Sequence, residues 1–108
     1  MKVNITELLT IFDKTLTPPT NEEQGEYWFE ATLPNNLTVT LTFSIYECYV
    51  SILIGSDADV AITSIRMKNC LEIRLLDIAK KSFEIIHNGQ PGRCFLQLTG
   101  DTILSYDE

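Results

Sequence analysis

One histidine and three cysteines are the most reactive side chains in this 108-residue sequence, so they are considered first. Zinc asks for several Cys or His ligands within reach of one another. Cys48, Cys70, Cys94 and His87 are the only Cys and His candidates, and they are scattered, with no CxxC pair. Nucleophilic catalysis needs a nucleophile beside a positioned base. Cys48 or Cys94 with His87 is the available pairing. Cys94 falls across a predicted hairpin from His87, yet its apolar neighbours turn it inward, while the loop HNGQPG holds His87 at a turn. The plain reading is a surface histidine and three buried thiols acting as small hydrophobes. Asp57 and Asp59 are two carboxylates two residues apart, but the longer ligand series and terminal Glu of a calcium loop are missing. The glycines stand singly at turns and form no phosphate loop. The sequence therefore predicts no catalytic set, no metal and no cofactor.

The second group is acidic. Glu22, Glu23, Glu26 and Glu30 surround Trp28. The plain reading is a solvated face under a tryptophan that caps the sheet beneath an N-terminal helix. The sharper reading is a partner contact, with Trp28 as an aromatic anchor and the carboxylates recognising Lys or Arg on another protein. Charge supports a basic partner. The chain carries 15 acidic and 8 basic residues, a net charge of -7. Nucleic acids and anionic membranes are usually met by a basic face, and here only Lys80-Lys81 cluster. No apolar run approaches the length of a membrane span, and no signal peptide is visible. With an odd, widely spaced set of cysteines, the sequence reads as cytoplasmic and reduced.

The elements that would position these groups are mostly strands. Within 37–45, Leu37, Val39, Leu41, Phe43 and Ile45 alternate with Thr38, Thr40, Thr42 and Ser44. Period two in β-formers predicts a strand with one buried face. A reversal at Tyr46-Glu47 leads into a paired strand over 48–54. Before it, 25–33 alternates Tyr27, Phe29, Ala31 and Leu33 against Trp28, Glu30 and Thr32, with a turn at Pro34-Asn35-Asn36. Asn4 or Thr6 can cap a short helix over 4–14. Pro18-Pro19 breaks it, making 15–24 an exposed connection. After a loop at 55–59, strands are predicted at 60–67 (bent or bulged), 70–76, 82–87, 93–98 and 102–106. Segment 70–79 also fits a helix, but the alternation of Leu71, Ile73 and Leu75 favours a strand. Asn88-Gly89 signals a hairpin.

The second half carries a resemblance. VAITSIRMKNCLEIRLLD, followed by SFEIIHNGQPGRCFLQLTGDTIL, resembles small β-rich immunity proteins of bacterial polymorphic-toxin systems. The resemblance implies a protein that binds and blocks a cognate toxin.

These readings combine into an expected α+β fold in a single domain over 1–108. A strongly curved, mostly antiparallel sheet of about six to eight strands would pack on one short N-terminal helix. The expected function is non-enzymatic protein binding, of immunity or inhibitor type. A pocket between sheet and helix, serving a small ligand or an enzymatic reaction, is the second reading. Self-association into a homodimer through an edge strand is the third.

Overall fold

A computed structural model describes residues 1–15, 25–33, 36–56, 61–88, 93–99 and 104–107. The fold is α+β with largely antiparallel pairing, but the single curved sheet is not what forms. Two separate five-stranded sheets face each other. The first is ordered β2 (Lys14–Thr15), β3 (Glu26–Thr32), β4 (Leu37–Ser44), β5 (Tyr49–Ser56), β6 (Ala61–Met67). The second is ordered β1 (Lys2–Val3), β7 (Cys70–Asp77), β8 (Ser82–His87), β9 (Arg93–Gln97), β10 (Leu104–Asp107). All pairings are antiparallel except β1 with β7.

The reason lies in how much apolar surface must be covered. The helix α1 spans Ile5–Ile11 and buries only Leu8 and Ile11. The strands turn far more inward: Phe29, Val39, Leu41, Phe43 and Val50 from the first sheet, and Phe83 from the second, all have 0% exposure. One short helix cannot roof that many side chains, so each sheet becomes the other's cover. Each of the buried phenylalanines contributes about 1.5–3 kcal/mol relative to an exposed one.

The helix is shorter than predicted at its C-terminal end. Asn4 caps its start: its side-chain oxygen accepts from the Glu7 N–H at 3.2 Å, and its Nδ2 donates to Glu7 Oε1 at 2.8 Å. At Phe12 the backbone becomes extended, with φ −102° and ψ 143°. The chain then enters β2, where Asp13 N–H donates to the Glu30 carbonyl at 3.0 Å. This path places Phe12 between the sheets. Its ring lies 5.6 Å from Phe29 and 5.8 Å from Phe83, one aromatic from each sheet.

Residues 68 and 69 carry the chain from β6 into β7. Asn69 has φ 55°, a left-handed value that Asn tolerates. Here Cys70 donates its N–H to the Cys48 carbonyl at 2.8 Å, tying the second sheet to the β4–β5 turn. That turn was expected at Tyr46-Glu47. It occupies residues 45–48, with Cys48 at φ 57°, so Cys48 ends a turn rather than starting a strand. Strand β7 and the turn after it fall where the alternation of Leu71, Ile73 and Leu75 puts them. Strand β5 runs on through Gly55 and Ser56, two residues expected in a loop.

Candidate functional site

The outer face of the first sheet gathers most of the candidate residues. Because Phe29, Leu41 and Ile52 point inward, their neighbours in sequence point out. The register then forms two polar rows across the sheet. One runs Trp28, Thr42, Ser51, Arg66; the next runs Lys14, Glu30, Thr40, Leu53, Ser64.

Trp28 is 40% exposed and does not lie under the helix. The expectation that it caps the sheet there is overturned, because strand parity sends Phe29, not Trp28, towards Phe12. Instead Trp28 lines a surface groove of about 580 Å³ with Asp13, Lys14, Thr15 and Glu30. Strand β2 forms one wall. It is held by the Thr15 hydroxyl donating to the Trp28 carbonyl at 3.2 Å and by Asp13 Oδ2 accepting from Thr32 N–H at 2.9 Å. Asp13 thus serves the fold as well as the groove. Among the described residues the groove is lined by two carboxylates, Asp13 and Glu30, and one ammonium, Lys14.

Glu26 lies on the same face as Trp28, two residues earlier, but it is engaged. The Tyr49 hydroxyl donates to Glu26 Oε1 at 2.7 Å. Burial, reinforced by this bond and the Glu26 charge, pushes the Tyr49 phenol up to about 12. The Arg66 guanidinium sits 5.0 Å from the centre of the Tyr49 ring. Glu22, Glu23, Asp57 and Asp59 lie outside the described residues.

Sequence reasoning missed Asp13, Lys14, Thr15, Tyr49 and Arg66 as members of this face. A two-residue strand has no period to read, so β2 left no signal. Arg66 and Tyr49 become neighbours of the site only through register, which a single strand does not reveal.

The cysteines and histidine take a different arrangement from the one the hairpin suggested. Cys94 is opposite Ile85, and the cross-strand partner of His87 is Cys70. Cys70 and Cys94 are buried, at 1% and 0% exposure. Desolvation pushes both thiols up to about 11, with a smaller contribution to Cys94 from the neighbouring Cys70. The Cys70 thiol donates to the Met67 carbonyl at 3.6 Å. This environment favours the inert thiol over the thiolate, the reverse of nucleophile activation. Among the described residues no group of three or more His, Cys, Asp or Glu side chains is placed to hold a metal ion.

A second cleft, of about 260 Å³, opens between α1 and β7 and includes Lys2, Glu7, Glu72 and Arg74. Three of these four charges are already occupied within the fold: Arg74 pairs with Glu72 at 3.2 Å, and Glu7 takes the Asn4 amide. Its volume falls below the range usual for small-molecule sites. Among the described residues no helix is long and apolar enough to cross a membrane.

No protein-family model matches this chain, and no match was found among curated proteins or solved structures.

Proposed function

We propose that this chain is a non-enzymatic protein-binding domain, and that its contact surface is the outer face of the first sheet, centred on Trp28. The observation that carries this reading is Trp28 itself, 40% exposed in a groove that the Asp13 and Glu30 carboxylates also line. A tryptophan offers a large apolar body with one polar handle, which suits an interface anchor. The surrounding carboxylates and the net charge of -7 favour a basic partner, with long-range attraction speeding encounter. Occlusion of a basic site on that partner is the mechanism. It agrees with the immunity-protein likeness of the second half, although the proposed surface lies on the first sheet. The three free cysteines fit a reducing, cytoplasmic setting.

The test is affinity capture from the native host, followed by mass spectrometry and titration calorimetry on any captured protein. The expected result is a basic partner whose affinity falls at least tenfold with Trp28→Ala and also with Glu30→Lys, and weakens as salt rises. A partner indifferent to both substitutions, or a turnover activity of the purified chain, overturns the reading.

The groove volume supports one second reading, a small-ligand site stacked on Trp28, because about 580 Å³ is within the usual range. Trp28 is the only tryptophan, so its emission reports on the groove directly. A saturable shift with a small molecule, without protein capture, selects this second reading.

A further inference from the structure

The three thiols are nucleophilic groups that the proposed surface does not use, and two of them meet where one sheet is tied to the other. Cys48 ends the β4–β5 turn of the first sheet, and Cys70 opens β7 of the second. The Cys70 N–H donates to the Cys48 carbonyl at 2.8 Å. Standard bond lengths then hold the two Cα atoms within about 6.7 Å of each other. A disulfide spans about 4.4–6.8 Å between Cα atoms. Cys94 is out of range of Cys70, because β8 separates their strands and two strand spacings amount to about 9.5 Å. Each thiol of the close pair donates weakly to a nearby carbonyl, Cys48 to Ile45 and Cys70 to Met67, both at 3.6 Å. The two thiols also sense each other: burial pushes Cys70 up, and Cys48 adds to the rise.

We infer that Cys48 and Cys70 form a reversible disulfide when the chain meets hydrogen peroxide, stapling the first sheet to the second. Cys48 is partly exposed and reacts first, while Cys70, at 1% exposure, is held back for the second step. The Cys48 thiolate attacks one peroxide oxygen and the O–O bond breaks. The displaced hydroxide takes up the proton that the thiol gave away and leaves as water. Cys48 is then a sulfenic acid. The Cys70 sulfur attacks the Cys48 sulfur, and its proton leaves with the sulfenic hydroxyl as a second water. Two thiols and one peroxide thus become one disulfide and two waters. The raised pKa of Cys70 slows the second step, and its fixed place beside Cys48 offsets this. A small thiol such as glutathione supplies the two electrons that reverse the bond, so a transient link is compatible with a reducing compartment. The link encloses β5 and β6, restricts the unfolded chain and raises stability.

Treatment of the purified chain with equimolar hydrogen peroxide, alkylation of the remaining thiols in denaturant, and peptide mass spectrometry provide the test. The expected product is a single chain lighter by two hydrogens, with Cys48 linked to Cys70 and Cys94 alkylated. Dithiothreitol should restore all three thiols, and the oxidised chain should unfold at a higher urea concentration than the reduced one. Cys94→Ser should cross-link at a rate within twofold of the parent. Cys70→Ala should lose the cross-link and stop at the Cys48 sulfenic acid, which dimedone traps. If that variant fails to fold, the peptide map of the unsubstituted chain decides alone. Linkage of Cys48 between two copies, a bond to Cys94, over-oxidation of Cys48 without a link, an unreacted chain, or a lower unfolding midpoint after oxidation overturns the inference.

Discussion

The Tyr49 hydroxyl reaches over β4 to donate to the Glu26 carboxylate, 2.7 Å away on β3. Ser44 lies between them in the register and is fully buried although it is on the outer face. The bridge therefore closes one end of an otherwise open sheet surface. It also commits Glu26 to the fold, leaving Glu30 as the described carboxylate nearest Trp28 in sequence that is also on its face.

Stability should fall at alkaline pH. The Tyr49 phenol is pushed from 10.0 up to about 12, and the Cys70 and Cys94 thiols from 9.0 up to about 11. In each case folding favours the protonated, neutral form. That stabilisation is complete below the unfolded values and is lost as pH rises through the folded ones. Denaturant midpoints should therefore hold up to about pH 9 and decline between about pH 9 and 12. Glu26→Gln should bring the Tyr49 transition down, read by ultraviolet absorbance.

The thiols should differ in reactivity. Cys48 is partly exposed, whereas Cys70 and Cys94 are buried with raised pKa values. Iodoacetamide at neutral pH should label Cys48 first, and the other two only as the protein unfolds. Peptide mass spectrometry after brief exposure reads the order directly. Equal labelling of all three in the folded state contradicts the packing.

Phe12 should be among the costliest single truncations. Phe12→Ala removes a ring that touches Phe29 and Phe83, and should destabilise by about 3–5 kcal/mol in urea titration. A double-mutant cycle between Phe12 and Phe29 should give a coupling of about 0.5–1.5 kcal/mol. Ser64→Ala, on the exposed edge, should change stability by less than about 0.5 kcal/mol.

Gly25→Ala should destabilise despite its small size. Gly25 has φ +62°, and an added Cβ would meet two Tyr46 ring carbons at 3.1 Å. Backbone strain and the need to move the ring combine, so a loss of about 1–2 kcal/mol is expected. Adding Tyr46→Ala should recover the steric part of that loss and leave the strain. Thermal melts of the three variants separate the two contributions.

Much of the strand content was legible because β3, β4 and β5 write their inner rows plainly: Phe29 and Ala31, Val39 and Leu41, Val50 and Ile52. Alternation says that a face is buried, not what covers it. That is why Leu41 and Phe83 could be assigned to cores without showing that those cores come from two different sheets. Weighing the inward side chains against the narrow stripe of Leu8 and Ile11 would have exposed the shortage of helix. Strands β1 and β2 left no trace, since two residues define no period, and the helix stop at Ile11 reflects pairing of Asp13 with Glu30 rather than a local breaker. At the candidate site, the outward direction of Trp28 and Glu30 followed from parity. The groove did not, because its wall comes from β2.

The opening segment contributes one strand to each sheet, with β1 beside β7 and β2 beside β3. On the ribosome, the strands of the first sheet can zip together as neighbours emerge, but Lys2 and Val3 must wait until Glu72 and Ile73 have been made. The β1–β7 pairing is therefore a long-range closure of the kind that slows β-rich chains. Until the second sheet has formed, the inward faces of β3 and β4 lack their cover, and that interval is when a nascent copy is most open to aggregation or to chaperones.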